Sequence, residues 1–286
     1  MQIHKKVGLI LAIFLLGLSS LAYWGYKYFF VVTDDAYVNG NIIHIAPRIN
    51  GRVAHLYVVN NQFVKAGEIL FDLDPDMYAT LVAKARANLA INQAKLKLAE
   101  LTETRLHALV KKRVASIQEG DSAEMDLQAA KAGVELAKAN LATAELNLGY
   151  THITAPESGW VTNLSTRVGD MVMANQPVFL LINNQEFWVD ANFKETELQH
   201  IRVGQSAEIK LDMYSGQPFQ GIVESISNGS GAAFSIFPPE NATGNWVKVT
   251  QRIPVRIKII TLTSRYPLRL GASANVKIHI KPWQEN

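Results

Sequence analysis

Two stretches of the chain, NQFVKAGEILF at residues 61–71 and GDMVMANQPVF at residues 169–179, align without a gap at an offset of 108. The identical pairs are Val64 and Val172, Ala66 and Ala174, and Phe71 and Phe179. Short β-branched segments bounded by Gly and Pro are typical of strands. Because such strands cannot bury a face alone, we expect the two halves to pack together in one small β-sandwich.

An Ala-Pro turn with a glycine just beyond it precedes each stretch. The first turn is Ala46-Pro47 with Gly51, and the second is Ala155-Pro156 with Gly159. Chance similarity among a few turn residues is the alternative explanation. A shared sandwich predicts that Val64 and Val172 occupy equivalent buried positions.

The sequence between the halves predicts two helices. Asp74 followed by Pro75 is a helix start with its cap and first-turn proline, and the segment after it is rich in Ala, Leu, Lys and Glu. SIQE at residues 116–119 fits a capping box that starts a second helix. Each arm would have about 33 residues and a length of about 50 Å, which predicts an antiparallel hairpin.

Both arms show the alternation of three and four residues that is typical of a coiled-coil seam. On the outgoing arm the predicted seam residues are Ile91, Ala94, Leu98 and Leu101. On the return arm they are Leu127, Ala130, Val134, Ala137, Leu141, Ala144 and Leu148.

The N-terminal stretch from Val7 to Phe30 is apolar apart from Lys27, and its length suits one transmembrane helix. Lys5 and Lys6 predict a cytoplasmic N-terminus, and an aromatic collar favours an anchor that is retained. A cleaved signal peptide, with SSLA at residues 19–22 as its cleavage site, is the alternative.

Composition argues against several function classes. The net charge is +3 with no basic cluster, so we expect no nucleic-acid partner. The chain has no cysteine, and its seven histidines lack ligand spacing. The spacing of Asp72, Asp74 and Asp76 matches the first ligands of a calcium-binding loop. The match fails further on, because Met77 and Ala83 occupy the positions where that loop requires glycine and glutamate. We therefore expect no catalytic residues, no metal site and no enzymatic activity.

Three later segments alternate apolar and polar residues as half-buried strands do. They are AEIKL at 207–211, VKVTQRIPVRIKI at 247–259 and ANVKIHI at 274–280. These strands predict a small antiparallel barrel.

Four segments resemble the EmrA-like multidrug export branch of the HlyD-type membrane fusion proteins, which are periplasmic adaptors of bacterial efflux and secretion pumps. They are TDDAYVNGN at 33–41, FWVDANFKETEL at 187–198, the stretch 229–259, and YPLRLGASANVKI at 266–278. The resemblance implies an elongated, mixed α+β fold with a transmembrane helix, a coiled-coil hairpin inserted in a split lipoyl-like sandwich, and a β-barrel.

On this resemblance we expect five parts. They are a cytoplasmic tail at 1–6, the anchor at 7–30, a barrel at 31–45 with 184–282, a lipoyl-like domain at 46–74 with 150–183, and the hairpin at 75–149. In lipoyl domains of metabolic enzymes a lysine at the corresponding turn carries the cofactor. Here that place holds residues 72–75, DLDP, so we expect no cofactor.

The resemblance implies an adaptor in the bacterial inner membrane, single-pass, with most of the chain in the periplasm. Its expected partners are a multi-spanning inner-membrane transporter of the major-facilitator type or similar, a TolC-type outer-membrane channel, and further copies of itself in a ring, as a hexamer or trimer. The alternative is a membrane-anchored envelope scaffold with no role in drug export.

Arg105, Leu109 and Ser116 match the pattern R-x-x-x-L-x-x-x-x-x-x-S with which adaptors of this family meet the channel. Local structure offers the other explanation: an exposed base, a seam leucine and a helix cap. The resemblance also suggests a set of residues that contact the transporter or a neighbouring subunit, although residues 229–245 read equally well as a plain loop. This set is Asp34, Asp35, Tyr37, Phe234, Asn241 and Trp246.

Overall fold

The computed structural model describes residues 17, 29–214, 216–231, 249–260 and 265–280, without the side chain of residue 185. The predicted anchor at residues 7–30 therefore lies outside the described residues except at three positions. Phe30 opens the first strand, so this residue was wrongly assigned to the anchor. Among the described residues, no helix has the length and apolar character needed to cross a bilayer.

The described chain contains twelve strands and two long helices, in two compact units. The strands are β1 Phe30–Ile45, β2 Gly51–Leu56, β3 Phe63–Val64, β4 Ile69–Leu73, β5 His152–Thr154, β6 Gly159–Thr162, β7 Met171–Val172, β8 Phe179–Lys194, β9 Ser206–Leu211, β10 Pro218–Ile226, β11 Arg252–Ile259 and β12 Ser273–His279. The helices are α1 Asp76–Lys111 and α2 Ile117–Gly149, and a short 3-10 helix covers Leu198–His200. One unit is Ile42–Asn184, and the other consists of the residues on either side of it.

The two repeated halves of the first unit exchange strands with each other. Strand β2 of the first half pairs with β7 of the second, with Gly51 opposite Val172. Strand β3 pairs with β6, with Val64 opposite Gly159. The offset of 108 residues converts the first pairing into the second, so the halves are related by an approximate twofold operation. The expectation of one shared sandwich is confirmed.

The two Ala-Pro turns each bind the opposite half. The Gly67 amide donates to the Ala155 carbonyl at 2.8 Å, and the Asn175 amide donates to the Pro47 carbonyl at 2.8 Å. These two hydrogen bonds are again related by the same offset. Each turn supplies a carbonyl that accepts a backbone hydrogen bond from the other half, which explains why the turn sequence occurs twice.

Backbone conformation repeats in the same way at two turns. Gly67 and Asn175 both have positive φ, at 81° and 63°, as do Asn61 and Gly169, at 65° and 96°. Gly and Asn are the residues that adopt this left-handed conformation at least cost. At each of these sites one half uses glycine and the other asparagine, which masks the repeat in the sequence.

The core of this unit draws equally on both halves. Val64 and Val172 are 0% and 7% exposed, which confirms their predicted burial. The rings of Phe71 and Phe179 meet edge to face with centroids 6.0 Å apart. Burial of these side chains, at about 25 cal/mol per Å² of apolar surface, is the main force that holds the halves together.

Both helices are inserted between two strands that pair directly. Strand β4 runs antiparallel to β5, with Asp72 opposite His152, and the Leu73 amide donates to the Thr151 carbonyl at 2.8 Å. The helices therefore leave and re-enter the sandwich at one place. The helices contact each other through Arg86 and Glu145 near the sandwich, and at their other ends Val110 lies beside Gly120, so they run antiparallel as a hairpin.

The second unit is a closed barrel of six strands. The order is β12-β9-β10-β11-β8, and β1 pairs with both β12 and β8 to close the ring. Strands β9, β11 and β12 lie in the three segments predicted from their alternation. The expected combination of a β-barrel with a sandwich in one mixed α and β chain is confirmed. Gly221 is required inside the barrel, where an added Cβ would lie 2.7 Å from Ile257.

Gly159 and Gly51 occupy equivalent places in the two halves and offer a matched pair of substitutions. A Cβ on Gly159 would lie 2.3 Å from the carbonyl oxygen of Ile182, whereas on Gly51 it would meet only the Leu73 side chain, at 3.2 Å. We expect Gly159→Ala to lower the free energy of unfolding by about 3 kcal/mol, and Gly51→Ala by about 1 kcal/mol. Chemical unfolding measures both values, and equal losses would contradict the close approach at β8.

Candidate functional site

A small polar cluster ties together the strands at the base of the hairpin. The Asp72 carboxylate accepts a hydrogen bond from the Tyr57 hydroxyl at 2.7 Å and lies 2.8 Å from Nδ1 of His152. The hydrogen bond from Tyr57 to Asp72 raises the pKa of that hydroxyl, and the negative charge of the carboxylate adds to the effect. At the start of α1, the Tyr78 hydroxyl donates to the carbonyl of Asn50 at 2.7 Å. The hairpin is thus fastened to the sandwich by side chains as well as by its two connections.

The seam predicted for α2 is confirmed. Its seven positions are buried or half-buried along the helix, and Val134 and Ala137 are the most enclosed, at 5% and 2% exposure. The seven positions are spaced alternately by three and four residues, and they lie on the face of α2 that packs against α1.

The seam predicted for α1 is wrong. Ile91, Leu98 and Leu101 are 55%, 66% and 53% exposed. The face that packs on α2 is shifted along the sequence and has the same period. Its buried or half-buried residues are Tyr78, Val82, Ala85, Leu89, Asn92, Leu96, Ala99, Glu103, Leu106 and Val110. The outgoing helix carries two apolar stripes of identical spacing, and periodicity alone does not distinguish them.

Helix α1 ends in a Schellman motif. Arg113 has φ 59°, its amide donates to the Val110 carbonyl at 2.9 Å, and the Val114 amide donates to the Leu109 carbonyl at 2.9 Å. Arginine in this left-handed position is strained relative to glycine. Val114 is 72% exposed, so the apolar contact that usually accompanies this motif is not buried.

Helix α2 begins with the predicted capping box, which is confirmed. The Glu119 amide donates to the Ser116 hydroxyl at 3.2 Å, and the Ser116 amide donates to the Glu119 carboxylate at 2.8 Å. The backbone hydrogen bond from Ser116, and then that from its hydroxyl, hold the pKa of Glu119 below its ordinary value. The capping contact therefore contributes at neutral pH and is lost as pH falls through this lowered pKa.

The three residues of the predicted docking pattern lie around one turn of the hairpin. Arg105 is exposed, and within the described residues it has no hydrogen bond or ion pair. Leu109 is half-buried at the end of α1, and Ser116 is exposed at the cap of α2. Beside them lie two strongly exposed side chains that the sequence analysis did not select, Val114 and Ile117, at 72% and 73% exposure.

On the barrel, Asp35 takes part in a polar network. Its carboxylate accepts hydrogen bonds from Arg252 at 2.7 Å and from the Asn192 amide at 3.1 Å. Asp34 is exposed and Tyr37 is 42% exposed. Among the described residues, Asp35 alone of these three is held by side-chain contacts to other strands. Sequence reasoning missed its partners because they lie about 160 and 220 residues away.

A second cluster on the same strands surrounds Asp190. Its carboxylate accepts hydrogen bonds from Asn39 at 2.9 Å and from the Trp188 indole at 3.0 Å. The Arg256 guanidinium lies over the Trp188 ring, 4.3 Å from its centroid, in a cation–π contact. The strand alternation of buried and exposed residues places these polar groups on the outer surface of the barrel. Phe234, Asn241 and Trp246 lie outside the described residues.

Two open clefts of about 330 and 320 Å³ lie in the first unit. The second is lined by both Ala-Pro turns and by three basic side chains, His44, Arg48 and His152. Arg48 donates to the Tyr150 hydroxyl at 3.1 Å. In the part of the chain that the structure describes, no group of three His, Asp or Glu side chains is placed to hold a metal ion.

Comparison with known families accounts for both units. Residues 41–184 match the barrel-sandwich hybrid domain of RND-type membrane fusion proteins (RND MFP), and residues 186–279 match the AAEA-like beta-barrel domain. The chain belongs to the membrane fusion protein family. Together the two matched regions cover residues 41–279 apart from residue 185.

Individual relatives agree with this membership. The chain is 32% identical to the multidrug export protein EmrA of Haemophilus influenzae, over 96% of this chain and 84% of that protein. It is 33% identical to the fatty acid resistance protein FarA of Neisseria gonorrhoeae, over 86% of this chain and 75% of that protein. Among solved structures, the membrane fusion protein Spr0693 of Streptococcus pneumoniae has the same fold, with a TM-score of 0.67 at 16% identity, covering 88% of this chain and 99% of that chain.

The capping box at the hairpin turn gives a local stability prediction. Ser116→Ala removes the side chain that accepts from Glu119, and we expect the first turn of α2 to lose about 1 kcal/mol. Amide hydrogen exchange at Glu119 and Gly120, whose amides donate to Ser116, should then be about fivefold faster. Ser122→Ala, also exposed in α2, is the matched control. Unchanged exchange in Ser116→Ala would show that the cap does not stabilise this turn.

Proposed function

We propose that this membrane fusion protein is the periplasmic adaptor of a tripartite efflux pump. It would link a multi-spanning inner-membrane transporter to a TolC-type outer-membrane channel and so support the export of drugs or other toxic small molecules. The observation that carries the proposal is the family membership of the whole fold, together with relatives named for multidrug export and fatty acid resistance.

The hairpin suits the proposed linking role. Helix α1 has 36 residues, so at 1.5 Å per residue it reaches about 54 Å from its start beside the sandwich. The matching periods of the facing stripes favour coiled-coil packing along that length. A hairpin of this length can set the distance between two partner proteins. We therefore propose an adaptor that bridges its partners without a catalytic step.

The apolar N-terminal stretch supplies the proposed anchor. Residues 7–30 have the length and composition of one transmembrane helix, and Lys5 and Lys6 favour a cytoplasmic N-terminus by the positive-inside rule. The proposal therefore places the protein in the inner membrane as a single-pass protein, with both folded units in the periplasm.

The hairpin turn is the proposed docking site for the channel. Val114 and Ile117 are both more than 70% exposed at the end of the hairpin, where few neighbours remain to cover them, so a partner is the better explanation for this apolar surface. Leu109, which is half-buried beside them, would add to the same apolar contact. Arg105 and Ser116 would supply polar contacts at its margin.

The outer surface of the barrel is the proposed contact for the transporter or for a neighbouring subunit. Asp34 and Tyr37 are exposed beside the Asp35–Arg252 pair, which gives this surface both charge and aromatic area. Phe234, Asn241 and Trp246 complete the proposed set.

Leu109→Asp tests the docking proposal. In cells that lack the gene, the wild-type protein should restore resistance to uncouplers, bile salts and hydrophobic antibiotics. Leu109→Asp should fail to do so because a charge in an apolar contact costs several kcal/mol. Expression, membrane insertion and helix content should stay unchanged, since Leu109 is at the end of α1.

His107→Asp, which adds the same charge to an exposed position in the same turn of helix, is the control and should export normally. Normal export by Leu109→Asp, or loss of its helix content together with export, would show that the turn is purely structural. If deletion of the gene changes no sensitivity at all, an envelope scaffold without a transport role is the better account.

A further inference from the structure

One end of the barrel is marked by the start of β1, and the antiparallel order brings several other strand ends to it. Val31 pairs with Ile278 and Ile278 pairs with Ala207, so the end of β12 and the start of β9 lie beside the start of β1. The Thr33 hydroxyl donates to the Asn192 carbonyl at 2.8 Å, which brings the end of β8 to the same place. We call this part of the second unit the β1 end of the barrel.

Three segments expose large apolar side chains at the β1 end, each just before a strand begins. Phe29 precedes β1 and is 49% exposed, and Val203 precedes β9 and is 64% exposed. Val249 precedes β11 and is 67% exposed. Its segment is held at this end because the Glu195 amide, just after β8, donates to the Gln251 carbonyl at 2.9 Å. Single exposed apolar residues are ordinary, but three at one barrel end indicate an interaction surface.

Val203 lies at the tip of a turn with a firm support. Its neighbour Gly204 has φ 88°, and the Gln205 amide donates to the Arg202 carbonyl at 3.3 Å, which closes a β-turn. The Gln205 side chain is only 7% exposed, and it accepts from the Arg202 amide at 2.9 Å and donates to the backbone at 3.0 Å. Ile201, at 0% exposure, fixes the same segment in the core. Polar residues dominate most turns, whereas this one presents an apolar side chain on a fixed support.

Arg202 places a positive charge beside that apolar tip. Its Nη1 donates to two backbone carbonyls of the same segment, at 2.8 and 3.4 Å, so the guanidinium is held against the turn. Among the described residues only Nη1 is engaged, which leaves the other N–H groups available to bind a phosphate oxygen. Lys194 and His279 are also exposed at this end, and Glu195 is an exposed carboxylate there. An apolar tip with a cation at its margin is typical of a surface that lies in the headgroup region of a membrane.

The chain that enters the β1 end identifies the bilayer as the partner. The proposed anchor, at residues 7–29, is followed at once by Phe30, the first residue of β1. No linker separates the two, and each strand residue adds only about 3.3 Å. The polar headgroup region on each side of the hydrocarbon core is about 5–8 Å thick. An anchor joined in this way holds the β1 end of the barrel within reach of the lipid headgroups.

We propose that the β1 end of the barrel rests on the periplasmic face of the inner membrane, with Val203 inserted among the lipid headgroups and Arg202 bound to a lipid phosphate. The bilayer is the occupant because the anchor brings it to this end in every copy, with or without a transporter. This inference rests on the anchor included in the proposed function and adds a separate contact to it.

The contact would determine how the barrel is oriented on the membrane. One transmembrane helix sets the distance of the barrel from the bilayer, but a single connection at Phe30 allows the barrel to pivot. Val203 belongs to a different segment from Phe30 and adds another point of contact. Two points of contact restrict the tilt of the barrel over the membrane.

A fluorophore at the turn tests the contact directly, because the chain has no cysteine of its own. Val203→Cys would be labelled with nitrobenzoxadiazole in the full chain, which is then reconstituted alone into vesicles of phosphatidylethanolamine and phosphatidylglycerol. Phosphatidylcholine with a spin label on its headgroup should quench this fluorophore, whereas iodide in the aqueous phase should quench it weakly.

Gln217→Cys is the matched control position. Gln217 is exposed in the loop between β9 and β10, at the other end of β9, which is about 17 Å long. Quenching by the spin-labelled lipid should be at least threefold stronger at residue 203 than at residue 217, and quenching by iodide should be stronger at residue 217.

Substitutions of Arg202 separate a lipid contact from the nearness that the anchor imposes. In the Val203→Cys protein, Arg202→Glu should reduce quenching by the spin-labelled lipid at least twofold, because a carboxylate is repelled by lipid phosphates. Arg202→Lys keeps the charge and should retain the quenching. Lys210→Glu, an exposed charge reversal further along β9, is the control and should also retain it.

Two results at residue 203 would overturn the proposal while the protein stays in the vesicles after an alkaline carbonate wash. Equal quenching at residues 203 and 217 by both agents would place the turn in water. Protection of residue 203 from both agents would show that a second copy of the chain covers it instead of lipid. Unchanged quenching in Arg202→Glu would likewise contradict the phosphate contact. Loss of the protein in the carbonate wash would instead overturn the anchor, and this contact with it, so the two failures are distinguishable.

Discussion

The first unit depends on the exchange of strands between its two halves. Each half places a strand beside one from the other half, and each Ala-Pro turn accepts a hydrogen bond from the opposite half. Phe71 and Phe179 then meet in a core that neither half could close alone. Because the entropic cost of closing a loop grows only slowly with its length, a long segment can be inserted between the halves while their contacts are kept. The helical hairpin occupies that insertion point.

This arrangement explains how a long helical hairpin can be attached firmly to the sandwich. Strands β4 and β5 pair directly, and the Asp72–His152 contact and the Tyr78 hydroxyl fasten the helices where they leave the sandwich. The position of the turn between α1 and α2 is therefore set by a packed core and not by a loop. A linking protein needs such a fixed distance.

Much of the fold could be predicted from the sequence because its signals are local or repeated. The sandwich halves, the return seam and the Ser116 capping box all follow from spacing. The repeat extends further than the stretch that first revealed it, since His44 and His152 lie at the same offset and a longer gapless comparison would have found them. The outgoing seam could not be predicted, because two stripes of equal period compete and only packing against α2 decides between them. The partners of Asp35, Asn192 and Arg252, were equally hidden, since barrel closure alone brings them together.

Excision of the hairpin tests most directly the claim that the two halves form one sandwich around an insertion. Residues 74–150 would be replaced by Asn-Gly, a two-residue turn that suits the antiparallel pairing of Leu73 with Thr151. The account predicts a shortened protein that still unfolds cooperatively, with a modest loss of stability because Tyr78 leaves the core. Denaturant unfolding followed by the fluorescence of Trp160, in a variant whose other four tryptophans are replaced by phenylalanine, would measure this. A shortened protein that is unfolded or aggregated, with no cooperative transition, would show that the hairpin is needed to hold the halves together and would contradict the account.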